Sequence, residues 1–187
     1  LGRGHYLRLT RVHLRNQYED GSLSDPYFCE LVDRPAHGVD AVVVGLWRRG
    51  TEGREVEVLL RKGLRPALRF GRDPARLAIP DRAPYLLLYE VVAGILEDPD
   101  RGPEGIKRRA VQEAWEEAGV RLTESDIEWL GTPIFPTPGM APEAFHLVCA
   151  EVKGRASDPT GDGSPMEHGA KLLWLPLSDA LQMCDRG

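Results

Sequence analysis

One short segment, residues 94–120, constrains this chain more than any other part of its sequence. It carries Gly94 and, within one predicted helix, the acidic cluster Glu113, Glu116 and Glu117. Residues three and four apart share a helix face, so the three carboxylates lie side by side. Like charges at this spacing destabilise an isolated helix by roughly 0.2–0.5 kcal/mol per pair. We therefore expect a compensating cation, and carboxylate oxygens favour a hard divalent ion such as Mg²⁺.

The same segment resembles the Nudix box, G-x5-E-x7-R-E-U-x-E-E-x-G-U, in which U is a bulky apolar residue. The register holds from Glu104 to Val120, and three positions depart from the pattern. Nine residues instead of five separate Gly94 from Glu104, which indicates a four-residue insertion. Ala114 replaces a larger aliphatic residue, and Gln112 stands where the family has the arginine that helps to fix the neighbouring glutamate.

An ordinary solvated helix with an acidic face is the alternative explanation of this segment. Three observations favour the Nudix interpretation over it. Glu104 lies at the required spacing, the motif closes with Gly119-Val120, and an apolar strand leads into Gly94. A motif of this kind is a hypothesis that structure must test.

Composition limits the classes of protein to which the chain can belong. Its 187 residues suit one domain with a substantial core. The formal net charge of −5 gives no electrostatic footprint for nonspecific nucleic-acid binding. The sequence shows no signal peptide and no apolar run of the length that a membrane span needs. Three scattered cysteines without zinc-ligand spacing indicate reduced thiols, so we expect a cytoplasmic protein without membrane or nucleic-acid partners.

The order of predicted elements indicates a mixed α/β fold. Apolar periodicity and turn residues predict strands over 6–14, 27–32, 39–47, 56–60, 85–92, 128–135, 144–152 and 172–175. Helices are predicted over 104–118 and from a cap at Ser178, with Gly119 ending the first. Residues 63–84 and 153–165 have loop composition. A sheet packed between helices satisfies this pattern.

The Nudix resemblance implies a more definite architecture. It implies an α/β/α sandwich with a mixed sheet over residues 37–187, preceded by a small N-terminal β element over residues 1–36. It also covers most of the chain, so no further domain is expected within it.

A second motif resembles one branch of the family, the ADP-ribose pyrophosphatases. Residues 136–143, PTPGMAPE, resemble the S-P-G-x-x-x-E element of that branch. Residues 89–94 resemble its E-x-P-A-G strand end, and residues 64–66 resemble its R-P element. In that branch the N-terminal β element is exchanged across a homodimer, so the resemblance implies a homodimer here. An ordinary proline–glycine turn is the alternative explanation of the first motif.

The resemblance implies a role for each matching residue. The metal ligands would be Glu113 and Glu117, completed by Glu116 and the Ala93 carbonyl, with Mg²⁺ or Mn²⁺ as cofactor. Gly94, Glu104 and Gln112 would support this cluster. Glu143 would act as the catalytic base, with Glu116 as the second choice. The substrate-binding residues would be Arg65, Phe28 and Gly139, with Arg65 clamping a phosphate and Phe28 stacking on the nucleobase. The other arginines of residues 61–76, Arg61 among them, are expected on a solvated face.

The expected activity is metal-dependent hydrolysis of a diphosphate bond, with ADP-ribose giving AMP and ribose 5-phosphate. Two alternatives stay open. The substrate could be another nucleotide sugar, such as UDP-glucose or GDP-mannose, or a dinucleotide. The chain could also be a sensor that binds a nucleotide metabolite without cleaving it. Gln112 can hydrogen-bond Glu113 but brings no charge, so we expect activity with a reduced rate or altered metal preference.

Overall fold

A computed structural model describes residues 4, 6–50, 55–161, 163, 165–166 and 169–186. In chain order its strands are β1 (Arg8–Leu14), β2 (Tyr27–Asp33), β3 (Ala41–Arg49), β4 (Val56–Leu64), β5 (Leu87–Glu90), β6 (Val92–Ile95), β7 (Glu128–Trp129), β8 (Phe145–Glu151) and β9 (Lys171–Pro176). The helices are α1 (Pro66–Gly71), α2 (Gly102–Ala118) and α3 (Leu177–Arg186).

Strand β3 is the centre of a seven-stranded mixed sheet. Strand β8 pairs with it in parallel, while β4 and β6 pair with it antiparallel. The sheet runs in the order β5-β4-β3-β8-β7, with β6 attached to β3 and β9 attached to β4. The predicted mixed α/β fold is confirmed.

The sequence of β3 explains its central place. Val42, Val44 and Leu46 alternate along the strand and are all at most 1% exposed. The same buried row continues across the sheet into Val148 of β8 and Leu59 of β4. β-branched side chains suit such a pleated, buried surface because their restricted rotamers lose little entropy there.

Helix α2 packs on this row through a stripe of small residues. Ala110, Ala114 and Ala118 recur every four residues and are fully buried. Alanine side chains allow the helix axis to approach the sheet closely. Ala114, where the motif has a larger aliphatic residue, is thus one of the fully buried residues of this stripe.

Several predicted boundaries differ from the structure. The apolar run over 85–92 is two strands, because the chain changes partner at Val91: β5 pairs with β4, and β6 pairs with β3. The predicted strand over 128–135 shrinks to Glu128–Trp129 and one isolated bridge at Ile134. The loop prediction over 63–84 missed helix α1. Apolar content alone cannot show where a strand exchanges its neighbour.

The end of the chain also differs from the prediction. Helix α3 begins at Leu177, so Ser178 lies inside its first turn instead of capping it. The Ser178 hydroxyl instead lies 3.2 Å from a carboxylate oxygen of Glu55. Across the described ranges, no helix is long and apolar enough to cross a membrane.

Strands β1 and β2 form a two-stranded sheet of their own, apart from the seven-stranded sheet. A backbone hydrogen bond from Val32 to Met140 (2.9 Å) ties this hairpin to the loop before β8. The predicted N-terminal β element is therefore present over β1 and β2. Its boundary at residue 36 and its exchange across a dimer stay predictions.

Gly119 ends α2 in a conformation that only glycine adopts readily. Its φ is +61°, and an added Cβ would lie 2.1 Å from the carbonyl oxygen of Ser157. Gly119→Ala should therefore lower the free energy of unfolding by about 2 kcal/mol or more, because the left-handed backbone and a backbone clash add together. Urea unfolding measures this effect.

Gly21→Ala is the matched control, since Gly21 has φ +84° and open space around an added Cβ. Gly21→Ala should lower the free energy of unfolding only by the cost of placing an alanine in the left-handed backbone conformation. Equal losses in the two variants would show that the contact with Ser157 contributes nothing.

Candidate active site

The last turns of α2 border a cleft of about 670 Å³. Glu116 and Glu117 line it from the helix, and Arg61 lines it from β4. The described part of the loop between β8 and β9 also lines it, at residues 159–161, 163, 165, 169 and 170. The sequence identified this segment only as a loop, whereas the structure shows that it bounds the candidate site.

Two backbone contacts hold this loop against the helix end. The amide of Gly161 donates to the carbonyl of Glu116 at 2.8 Å, and the amide of Ser157 donates to the carbonyl of Gly119 at 3.0 Å. These carbonyls belong to the end of α2, where backbone acceptors lack helical partners. Anchoring the loop at the helix end places its polar backbone beside Glu116 and Glu117.

Glu117 lies at the junction of the helix and β6. It is only 7% exposed, and its Oε2 accepts a hydrogen bond from the Ala93 amide at 3.1 Å. Its Oε1 lies 3.1 Å from Nη1 of Arg61, which is 5% exposed. A buried carboxylate needs such partners, because an isolated buried charge is very costly. The structure thus brings together two residues predicted as ligands, Ala93 and Glu117, through the Ala93 N–H group.

Glu113 packs directly on Gly94. A Cβ added at Gly94 would lie 2.0 Å from Oε1 of Glu113, so only glycine leaves room for this carboxylate. The same oxygen lies 3.6 Å from Nη1 of Arg109, one helical turn earlier. The predicted supporting role of Gly94 therefore has a physical basis, namely space for Glu113 beside β6.

Arg109 and Asp100 form a contact that the sequence analysis did not identify. The guanidinium of Arg109 lies 2.7 Å from Oδ2 of Asp100, which is 9% exposed. Burial lowers the pKa of Arg109, but the hydrogen bond and charge of Asp100, with the charge of Glu113, raise it overall. Asp100 also accepts a hydrogen bond from the amide of Glu97 at 2.9 Å. The acid, the arginine and Glu113 therefore form one continuous chain of contacts.

The position of Asp100 bears on the insertion in the motif. Five residues separate it from Gly94, which is the G-x5-E spacing of the box with aspartate in the acidic position. Glu104 is exposed in the first turn of α2, about 13–14 Å along the helix axis from Glu113. Its supporting role stays a prediction, while Asp100 has the contacts that such a role requires. A residue-by-residue match from Glu104 onward could not reveal this, although counting from Gly94 could.

Gln112 does not contact Glu113 as its position in the motif suggested. Its side-chain amide donates to Oε1 of Glu116 at 3.0 Å. Residues four apart face the same side of a helix, whereas adjacent residues do not. The arginine that contacts Glu113 is therefore Arg109, three positions before Gln112.

The donor set suits a hard divalent cation in its chemistry. Glu113, Glu116, Glu117 and the Ala93 carbonyl offer the oxygen ligands that Mg²⁺ prefers. Gly94 leaves the space in which one of these carboxylates lies against β6. Across the described residues, however, no three acidic, His or Cys side chains are gathered closely enough to hold a metal ion. Two of the carboxylates instead have arginine partners, Arg61 and Arg109.

Glu143 has a different environment from the helix carboxylates. Its Oε1 lies 2.6 Å from Nη2 of Arg34, and both side chains are largely buried. Arg34 follows β2, so this ion pair joins the N-terminal hairpin to the loop before β8. The neighbouring PTPG segment is a turn, in which the carbonyl of Thr137 accepts from the amides of Met140 and Ala141. The space around Gly139 is open.

The two remaining predicted substrate-binding residues lie outside the cleft lining. Arg65 is half-exposed and donates from Nε to both carboxylate oxygens of Glu90, at 3.0 and 2.8 Å. Phe28 is 62% exposed and stacks on His13 of the same hairpin, with ring centroids 4.7 Å apart. Arg61 is the arginine that enters the site, so the expectation that it lies on a solvated face is wrong.

Comparison with known proteins adds an independent observation. No family model matches the chain. The uridine diphosphate glucose pyrophosphatase NUDT14 of Bos taurus is 30% identical over 145 residues, which is 77% of this chain and 63% of that protein. The chain thus spans less than two thirds of this relative.

Two solved structures share the mixed α/β fold of this chain. The MERS1–RNA complex of T. brucei matches with a TM-score of 0.51 and 18% identity, over 79% of this chain and 55% of that one. The MERS1–GDP complex matches with a TM-score of 0.50 and 19% identity, over 79% and 52%. A MutT/nudix family protein from Enterococcus faecalis overlaps less closely, with a TM-score of 0.47 and 16% identity over 74% and 44%.

The segment that resembles the Nudix box coincides with the candidate site. The box-like segment from Gly94 to Val120 forms β6, its connection and α2, which supply the acidic side chains around the cleft. The identity to NUDT14 extends over most of the chain.

Proposed function

We propose that this protein hydrolyses the diphosphate bond of a nucleoside diphosphate joined to a sugar, with a divalent cation as cofactor. One observation carries the proposal: Glu116 and Glu117 line a cleft beside a buried arginine, with Glu113 packed on the adjoining strand. Carboxylates at this spacing on one helix suit a cation, and an arginine suits a phosphate. A bound divalent cation would neutralise diphosphate charge and lower the pKa of a water molecule.

Each side chain has a proposed part in this activity. Glu113, Glu116, Glu117 and the Ala93 carbonyl would hold the cation. The contact with Arg109 orients Glu113, and packing against β6 orients Glu117. Glu117 is almost buried and lines the cleft, so we expect water to reach it from there. The loop that lines the cleft would limit the water that reaches the diphosphate.

Two nucleotide sugars are the leading substrate candidates. The PTPGMAPE motif resembles the ADP-ribose pyrophosphatases, which favours ADP-ribose and the products AMP and ribose 5-phosphate. NUDT14 is named for uridine diphosphate glucose, which favours that compound and the products UMP and glucose 1-phosphate. Both reactions break the same bond and need the same cluster of carboxylates. The sugar contacts decide between them, and a direct comparison of the two substrates is the test.

Glu143 and Glu116 are the two predicted candidates for the catalytic base. Glu143 would first have to leave its ion pair with Arg34. Glu116 already lines the cleft and needs only to release the amide of Gln112. Separate glutamine variants of the two, compared by kcat at several pH values, would identify the base.

A homodimer is part of the proposal, as the family resemblance implies. The N-terminal hairpin exposes Leu14, Tyr27 and Phe28 at 40%, 41% and 62%. Exposed apolar side chains grouped on one small element are typical of a contact surface. Sedimentation equilibrium of the wild type should give twice the monomer mass, and Phe28→Ser should shift the population toward monomer.

Glu117→Gln should reduce hydrolysis by about 100-fold or more, because it removes the charge of a proposed ligand while keeping its shape. The assay measures phosphate release, coupled to a phosphatase, from ADP-ribose and UDP-glucose with Mg²⁺ or Mn²⁺. Glu128→Gln on the exposed strand β7 is the matched control and should keep wild-type activity.

The panel separates the proposed function from its alternatives. Turnover of one sugar nucleotide that falls only in Glu117→Gln supports the hydrolase. If the ligands raise the melting temperature but no compound is cleaved, the chain is a sensor and the hydrolase proposal is wrong.

Arg109→Gln should reduce kcat by roughly 10–100-fold, because a side chain that orients a metal ligand typically contributes that much. Gln112→Arg in the wild-type background should leave kcat unchanged or raise it. In the double variant activity should stay as low as in Arg109→Gln, because residue 112 faces Glu116 and not Glu113. A double variant that regains activity would show that an arginine at position 112 reaches Glu113.

A further inference from the structure

Arg61 occupies a position in β4 where the strand pattern predicts an apolar side chain. Leu59, Arg61 and Gly63 are the buried residues of this strand, and they alternate along one face. The side chain of Arg61 is nevertheless only 6% exposed. Gly63 provides the space, since a Cβ there would lie 3.3 Å from Nη1 of Arg61. A charged group in a buried row is costly unless it is paired, so its retention needs a reason.

The contact with Glu117 gives that reason. Nη1 of Arg61 and Oε1 of Glu117 are 3.1 Å apart, and both residues line the cleft. Glu117 is one of the carboxylates proposed to hold the divalent cation. A guanidinium and a cation would therefore compete for the same carboxylate. Arginine is also the side chain best shaped to bind phosphate oxygens, through its planar fork of N–H donors.

We propose that Arg61 neutralises Glu117 in the free protein and moves to the substrate's diphosphate when Glu117 takes the divalent cation. This inference rests on the proposed function and adds an order of events to it. Cation and diphosphate then bind cooperatively, because the cation releases Arg61 and the diphosphate accepts it. Linkage requires the reciprocal effect, so a diphosphate must also strengthen cation binding.

The test measures Mn²⁺ binding to the protein without turnover, by electron paramagnetic resonance of the free ion. Mn²⁺ is titrated alone and with methylenediphosphonate, a diphosphate that cannot be hydrolysed. Arg61→Met removes the guanidinium that competes with Mn²⁺ for Glu117, and it keeps an unbranched side chain in the buried row. It should bind Mn²⁺ alone roughly tenfold more tightly than the wild type, because Glu117 no longer has to break an ion pair.

The same variant should bind methylenediphosphonate more weakly, by roughly tenfold, since it lacks the guanidinium that binds phosphate. The enhancement of Mn²⁺ affinity by the diphosphonate should shrink accordingly. A gain in Mn²⁺ affinity together with a loss of diphosphonate affinity distinguishes this exchange from general damage to the protein, which would weaken the binding of both ligands. Arg61→Lys keeps the charge without the fork and should lie between wild type and Arg61→Met in both measurements.

Two further variants serve as controls. Arg48→Met removes an arginine from β3 that pairs with Glu57 at 2.6 Å and stacks on Trp174, away from the cleft lining. It should leave Mn²⁺ and diphosphonate affinities unchanged. Arg61→Met combined with Glu117→Gln should lose the gain in Mn²⁺ affinity, because the carboxylate that gained access is gone.

Each outcome decides the proposal separately from the hydrolase activity. Tighter Mn²⁺ binding with weaker diphosphonate binding in Arg61→Met supports it, even if the wild type hydrolyses none of the substrates tested. Unchanged or weaker Mn²⁺ binding in Arg61→Met and Arg61→Lys would overturn it and leave Arg61 a structural partner of Glu117. A wild type that binds no Mn²⁺ with or without diphosphonate would overturn it as well.

Discussion

The close approach of α2 to β6 is the constraint on which the rest of the site depends. Ala110, Ala114 and Ala118 allow the helix to lie near the sheet, and Gly94 leaves space at the point of contact. Without that space, Glu113 could not lie against the strand. Core packing and carboxylate placement are thus achieved by the same small residues. A larger side chain in the stripe would change both the stability of the domain and the position of the acidic groups.

Electrostatics impose the second constraint. Three glutamates at the end of one helix repel one another, and burial of Glu117 increases the cost of leaving it unpaired. The chain meets this cost with Arg61 from β4 and Arg109 from α2 itself. These partners differ in what they leave accessible. Arg109 is anchored by Asp100 outside the cleft lining, whereas Arg61 lines the cleft together with Glu117.

Two segments outside the helix–sheet unit are fixed by polar contacts, and the first of them lines the cleft. The loop between β8 and β9 is held by backbone contacts to the end of α2, and the N-terminal hairpin is held by Arg34 and Glu143. Such an arrangement joins a rigid helix–sheet unit to segments fixed by a few polar contacts. Binding and specificity commonly reside in segments of this kind, because they vary without disturbing the core. We therefore expect the sugar specificity of the proposed hydrolase to depend on these segments more than on the acidic helix.

The sequence by itself determined the local structure and the chemical character of the site. Alternation predicted most strands, the 104–118 helix and its glycine cap were confirmed, and spacing put three carboxylates on one helix face. These features depend on neighbouring residues and on repeats of two or three to four positions. The tertiary structure decided which charges oppose those carboxylates. Arg61 on β4 opposes Glu117 because of how the strand and α2 pack together, which no local pattern encodes, and Asp100 holds Arg109 beside Glu113. A buried arginine and a solvated one look alike in sequence, because burial is a property of what packs against the side chain.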